Sequence, residues 1–491
     1  MKLERFESAQ GPDYSKLDFQ QQQDELHANL LRVQRACREA GVPIVVLVSG
    51  VEGAGKSAVV NRLSKWLDMR NVRTVSYWGE SDDEKYRPRD WRFWRDLPGK
   101  GEISILFGSW YTHPIVQAAM EMKGDKKIDT YLKKESRHIN QFEKLLSDDG
   151  IIFVKMWFHI SKKEQDARIK AKKKAGFRIT PYEKSLSKYY DAFARISDKV
   201  IALTETRVGH WHVIDSKNKR SRDLRAGRIL LEHMHRALET NTLTPVGDLK
   251  FKPARPQLAH INLNKALTEK QYKKQLDKYQ ARLADLHWAA SEQKRSTVLM
   301  FEGWDAAGKG GAIRRLTGAM DARLYRVIPV AAPTDEEKAH HYLWRFWRHL
   351  PQDGNVTIYD RSWYGRVLVE RVEGFAREDE WQRAYDEIND FECQLTNHGI
   401  IVAKFWLHIS AEEQLKRFKL REVTAHKKHK LTEEDWRNRE KWPDYEQAVD
   451  DILARTNQPN APWYVIPAND KYYARVAVIK SVCKQLEKAL D

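Results

Sequence analysis

Cysteine is nearly missing from this chain. Three residues, Cys37, Cys393 and Cys483, stand far apart among 491 positions. That spacing fits neither a zinc ligand set nor a disulfide framework, and it suits a reducing compartment. Long apolar runs are missing too: no stretch approaches the ~20 apolar residues that a membrane-spanning helix needs. The opening MKLERFESAQ also lacks the apolar centre of a secretory leader. The expectation is a cytoplasmic protein with no membrane partner. Acidic residues are in short supply, 69 Asp and Glu against 86 Lys and Arg, which leaves a net charge of +17. A surplus of that size favours a polyanionic ligand or substrate. What is plentiful is core material: 41% of the residues are apolar, and the length suggests about two to four domains.

The chain is internally doubled. GVEGAGKS at Gly50 to Ser57 answers GWDAAGKG at Gly303 to Gly310, 253 positions later. The same offset relates WRFWRDLP from Trp91 to WRFWRHLP from Trp344, and Ser109 to Tyr111 to Ser362 to Tyr364. It falls to 249 at GIIFVKMWFHIS from Gly150 and GIIVAKFWLHIS from Gly399, so the first half carries four extra residues there. Late strands correspond as well, WHVID from Trp211 with WYVIP from Trp463. Short Val- and Ile-rich runs alternate with helical patterns of ten or more residues, which predicts crossover units and a parallel sheet flanked by helices. We therefore expect two tandem α/β P-loop domains, 1–240 and 271–491, around a Pro-containing linker over 241–270. The two repeats are expected to pair within the chain, and a homo-oligomer is left open.

A Gly-rich turn between a strand and a helix lets backbone N–H groups surround phosphate oxygens, while a lysine adds a point charge. Lys56 and Lys309 hold that place. Spelling favours the first loop, which matches G-x-x-x-x-G-K-[ST] in full; the second has Gly310 where a hydroxyl belongs. The chemistry favours the second. Phosphoryl transfer depends on positioning, a metal ion and cations that stabilise the moving group. Asp360 and Arg361, after the run Ile358-Tyr359, offer a carboxylate to a metal and a guanidinium to phosphate, and Asp305 inside the loop offers another carboxylate. The first half has Phe107, Gly108 and Glu52 at those positions. Removal of such contacts costs about 10² to 10³ in rate each, so the first half is expected to be nearly inert.

GWDAAGKGGAIRRL at Gly303 to Leu316, LWRFWRHLP from Leu343, YDRSWYGRVLVERV from Tyr359, FWLHIS from Phe405 and APWYVIPANDK from Ala461 together resemble the polyphosphate kinase 2 family. The resemblance covers the second half and, more weakly, the first. It implies a thymidylate-kinase-like fold with a helical lid, and phosphoryl transfer between inorganic polyphosphate and nucleotides with Mg²⁺ or Mn²⁺. The duplicated form resembles the subgroup that converts AMP to ADP, with the C-terminal repeat active and GK-G as the usual loop spelling. On this reading Gly303, Ala306, Ala307, Gly308, Gly310 and Gly311, with Arg314 and Arg315 on the following helix, bind phosphates. Asp305 and Asp360 hold the metal, although Asp305 could instead orient the acceptor; Lys309 and Arg361 complete the catalytic set. Arg366 and Glu370 are further candidates, with Arg345 and Arg348 as weaker ones for a polyphosphate channel. REVTAHKKHK, Arg421 to Lys430, resembles the family's lid, whose cations would be Arg417, Arg421, Lys427, Lys428 and Lys430; these lysines argue against a metal at His426 and His429. An ATP-dependent kinase is the nearest alternative, and a nucleic-acid-binding protein the more distant one, since no nucleic-acid partner is expected.

Overall fold

The computed structural model describes residues 3, 12–77, 79–240, 251–424 and 432–490. By contact the chain forms two compact units. One comprises Met1–Glu80, Arg92–Thr244 and Asp335–His341; the other comprises Ser81–Trp91, Pro245–Thr334 and Tyr342–Asp491. In each half a short segment between the second and third strands thus belongs to the unit built by the other half.

The first unit holds β1 (Ile44–Gly50), β2 (Val72–Ser76), β3 (Ile103–Phe107), β4 (Ile152–His159) and β5 (Trp211–Asp215), in spatial order β2-β3-β1-β4-β5. The second holds β6 (Thr297–Gly303), β7 (Tyr325–Pro329), β8 (Val356–Asp360), β9 (Ile401–His408) and β10 (Trp463–Pro467), in the same order, β7-β8-β6-β9-β10. Every pairing is parallel. Strands covered on both faces read as continuous apolar runs: Ile44 through Val48 and Val298 through Phe301 are all buried. The edge strands VRTVS and YRVIP are half exposed and each carries an arginine, which discourages edge-to-edge pairing.

Helices cover both sheets with single apolar faces. In Glu378–Asn397 the buried Ala384, Ile388, Phe391 and Leu395 recur at helical spacing, each worth about 1.5–3 kcal/mol if large and fully buried. Part of the expected linker differs from that expectation. Leu258 is buried, and backbone N–H groups of Ala254, Gln257 and Leu258 donate to Asp451 and Asp450 at 2.7–2.9 Å. Residues 251–270 are therefore held to the second unit by carboxylates that the sequence pattern does not reveal; 241–250 lie outside the described residues.

In a sheet of this order, ligands bind beyond the carboxyl ends of the central strands, where connections diverge. The register pairs Phe301 with Asp360, so the loop after β6 and the segment after β8 emerge side by side.

Candidate active site

The loop after β6 is shaped by backbone conformations that favour glycine. Gly303 has φ of +147°, and a β-carbon there would lie 2.6 Å from the Leu407 carbonyl oxygen. Gly308, at φ +109°, is the N-cap of the helix Lys309–Thr317, so the first free N–H groups of that helix face the concave side of the loop. The Lys309 ammonium donates to the Gly303 carbonyl at 2.7 Å and thereby curls over the loop. Ala306 sits at φ +62° without the freedom of glycine.

Arg417 fixes the loop from behind. Its guanidinium donates to the carbonyls of Ala306 and Ala307 at 2.9 and 3.0 Å, to those of Ala468 and Asn469 at 2.7 and 2.8 Å, and to Glu413 at 2.7 Å. The side chain is 4% exposed. The family resemblance implies a lid cation at this position, but its three nitrogens are engaged within the fold. Arg168 makes the same clamp in the first half, to the carbonyls of Gly53, Ser216 and Lys217.

Beside the loop, Arg361 leaves β8 in the left-handed region, φ +67°, with its N–H on the Phe301 carbonyl at 3.0 Å. Its guanidinium is 48% exposed and 3.6 Å from Asp305. The other Asp305 oxygen accepts from the Asn438 amide at 3.0 Å. Asn438 is on the helix Glu433–Glu440, which Glu373 anchors through Arg437 at 3.3 Å and Lys441 at 3.1 Å. Trp304 stacks on Trp442 at 3.6 Å and donates to His408 Nδ1 at 3.0 Å. Burial holds the His408 imidazole down at a pKa of about 4, consistent with a neutral ring that accepts at Nδ1.

Glu302, Asp305, Lys309 and Arg361 line one solvent-open cleft of about 600 Å³. Glu302 was not anticipated from the sequence. It is buried, it accepts from the Ser362 hydroxyl at 2.8 Å, and burial raises its pKa against the opposing charges of Lys309 and Arg361. The repeat carried a usable signal, because its first-half counterpart is Ser49. Asn438 could have been found in the same way, through Leu186.

Other expected residues lie elsewhere. Asp360 closes β8 next to this cleft without lining it. Arg366 pairs with Glu370 at 3.2 Å and lies 4.6 Å over the Tyr342 ring, so these two neutralise each other outside the cleft lining. Arg314 is exposed, and Arg315 turns back on the Gly311 carbonyl at 3.4 Å. Arg345 donates to the Ala331 carbonyl at 3.1 Å, and Arg348 stacks on Trp344 at 4.6 Å. His426, Lys427, Lys428, His429 and Lys430 lie outside the described residues. Arg421 lines a second cavity, of about 820 Å³, behind the loop, with Gly308, Gly311, Lys471, Ala474 and Arg475. No Asp or Glu is among the described residues that line it.

The first half has the same frame with different contents. Lys56 is held by the Gly50 and Val51 carbonyls at 3.1 and 2.9 Å and by Glu52 at 3.3 Å. Gly53 and Gly108 occupy the left-handed positions of Ala306 and Arg361, at φ +78° and +83°.

Among the described residues, no three His, Cys, Asp or Glu cluster as a metal cage. Mg²⁺ needs none, since it is typically held by one or two carboxylates together with substrate phosphates and water. Asp305 and Asp360, both close enough to act on the Arg361 charge, fit that pattern. No helix is long and apolar enough to cross a membrane among the described residues.

The family model "Polyphosphate kinase 2 (PPK2)" matches residues 13–242 and again 266–491. The polyphosphate:AMP phosphotransferase of Pseudomonas aeruginosa is 43% identical over 99% of both chains. That of Acinetobacter johnsonii is 38% identical over 91% of this chain and 92% of its own. A crystal structure described as a putative polyphosphate kinase 2 from Pseudomonas aeruginosa superposes with a TM-score of 0.87 at 42% identity, covering 99% of each chain. With both halves matched and full-length relatives at this identity, the chain belongs to the polyphosphate kinase 2 family.

Proposed function

We propose that this chain is a polyphosphate:AMP phosphotransferase whose second half performs the reaction. One observation carries the reading: of two copies of the same frame, the second alone places Asp305, Lys309 and Arg361 around one cleft beside Asp360. The names of its full-length relatives support the substrates.

The terminal phosphoryl of polyphosphate lies over the loop, on the amides of residues 306 to 310 and on Lys309. Its remaining chain runs into the cavity behind the loop, where Arg421, Lys471 and Arg475 supply positive charge. A phosphate oxygen of AMP attacks the terminal phosphorus in line. The bridging P–O bond breaks, and its electrons leave with a chain one phosphate shorter. The attacking oxygen is already ionised at neutral pH, so no strong base is required. Arg361, half exposed, neutralises charge as it shifts between donor and acceptor. Family members generally use a divalent metal; here Asp305 and Asp360 would hold Mg²⁺ or Mn²⁺, which supplies further neutralisation of the phosphates.

The test is ADP formation from AMP and polyphosphate without ATP. Lys309→Ala and Asp360→Asn each abolish it, and Lys56→Ala leaves most of it. Equal losses from Lys56→Ala and Lys309→Ala would overturn the single active half; activity with ATP but not polyphosphate would overturn the donor.

A further inference from the structure

The two halves also differ behind the loop. In the second, a β-carbon added at Gly308 meets nothing within 4 Å, and the adjoining cavity is walled by Ala474 and Arg475 at the start of the helix Lys471–Leu490. The correspondence of Trp211 with Trp463 places Arg222 and Asp223 at these two positions in the first half. There a β-carbon on Gly55, the counterpart of Gly308, would lie 1.9 Å from an Arg222 nitrogen. Arg222 is 2% exposed and donates to the Ala54 carbonyl at 3.3 Å. Asp223 fixes it from the side, accepting from Nε at 2.9 Å and from the terminal nitrogen at 2.7 Å, and Asp223 is itself 3.5 Å from Arg62. A guanidinium thus fills, from within the fold, the space that an alanine leaves open in the other copy.

We propose that this residue pair decides whether each half has a seat for condensed phosphate: Ala474-Arg475 opens the second, and Arg222-Asp223 stops the first. The inference rests on the reading that polyphosphate extends behind the loop. It makes Ala474 a specificity-determining position for the donor, although alanine has no chemistry of its own. It also accounts for a loop whose spelling is complete while its cradle is closed: Arg222 takes the volume, and Asp223 brings a negative charge where Arg475 brings a positive one. Gly55, like Gly308, sits in the left-handed region, at φ +87°, and a β-carbon there would in addition strike Arg222.

Two full-length variants test the pair in opposite directions. Ala474→Leu adds neutral volume while every cation stays in place. The expected result is a KM for polyphosphate raised by about tenfold or more, with the KM for AMP within about twofold. An unchanged polyphosphate KM in a variant with native circular dichroism would overturn the proposal. Arg222→Ala with Asp223→Arg rebuilds the open pair in the first half, and calorimetric titration with sodium tripolyphosphate then gives one more tripolyphosphate bound per chain than wild type. Because the first half still lacks Asp360 and Arg361, ADP formation is unchanged. No additional binding would overturn the proposal even if Ala474→Leu failed to fold. Should wild type form no ADP from polyphosphate, the activity assignment falls, while the calorimetric count still decides the pair.

Discussion

Arg361 combines a proposed catalytic role with a backbone conformation that favours glycine. A non-glycine residue at φ +67° carries strain of about 1–3 kcal/mol, and the first half has relaxed the same position to Gly108. Arg361→Gly is therefore expected to leave the urea midpoint unchanged or higher, while ADP formation falls by about 10²–10³; a lowered midpoint would mean that the guanidinium contributes to folding. His408 makes a second residue-scale prediction. Its pKa is near 6.5 when unfolded and about 4 when folded, so the unfolded chain binds more protons between those values. The stability it contributes is fully present above pH 6.5 and is lost as pH falls toward 4. By pH 5 the loss is about 2 kcal/mol. His408→Asn keeps an acceptor for Trp304 Nε1, and in urea titrations from pH 7 to 5 it should flatten the slope relative to wild type by that amount.

Among the elements, the motif Ser-Trp-Tyr illustrates a strong repeat signal with a structural meaning. Tyr364 and Trp363 both donate to Glu392, at 2.9 and 3.1 Å, and Lys404 on β9 donates to Glu392 and to the Thr456 carbonyl at 2.6 Å. The first half repeats the arrangement with Tyr111, Trp110, Glu143, Lys155 and Thr204. A network present in both copies, although they differ at Asp305, Asp360 and Arg361, pins the segment after the third strand to its neighbouring helix and serves the fold. Lys404→Met leaves Glu392 buried without its cation and should cost about 3–5 kcal/mol. Adding Glu392→Leu should restore much of this, although the freed Trp and Tyr donors keep the recovery incomplete. Thermal denaturation of the two variants measures both steps.

For the whole molecule, the net charge of +17 has a kinetic consequence. Between about 0.01 M and 0.15 M salt the screening length shrinks from ~30 to ~8 Å. The KM for polyphosphate should rise over that range, more steeply than the KM for AMP, because a long polyanion draws on many distant cations and AMP on few. Equal salt dependence for the two substrates would remove the charge surplus from the account of donor binding. Much of the duplicated plan was legible in sequence, since apolar strand runs, loop glycines and the constant offset each follow from local requirements of a parallel sheet. The membership of Ser81–Trp91 and Asp335–His341 in the opposite units was not, because no periodicity in such short segments encodes a distant contact.

The sequence by itself determined that there are two copies of one frame, and that the second copy carries Asp305, Asp360 and Arg361 where the first has Glu52, Phe107 and Gly108. These are statements about residue type at fixed spacing, and a strand followed by a glycine loop carries them locally. Tertiary structure alone decided what fills the space around each loop. Arg417 and Arg421 lie on the same helix four residues apart, yet the first is spent on backbone carbonyls and the second walls a cavity. Arg222 reaches back 168 positions to close a loop whose letters are complete. Occupied volume depends on side chains brought together from distant parts of the chain, so a motif that specifies a cradle cannot specify whether the cradle is open.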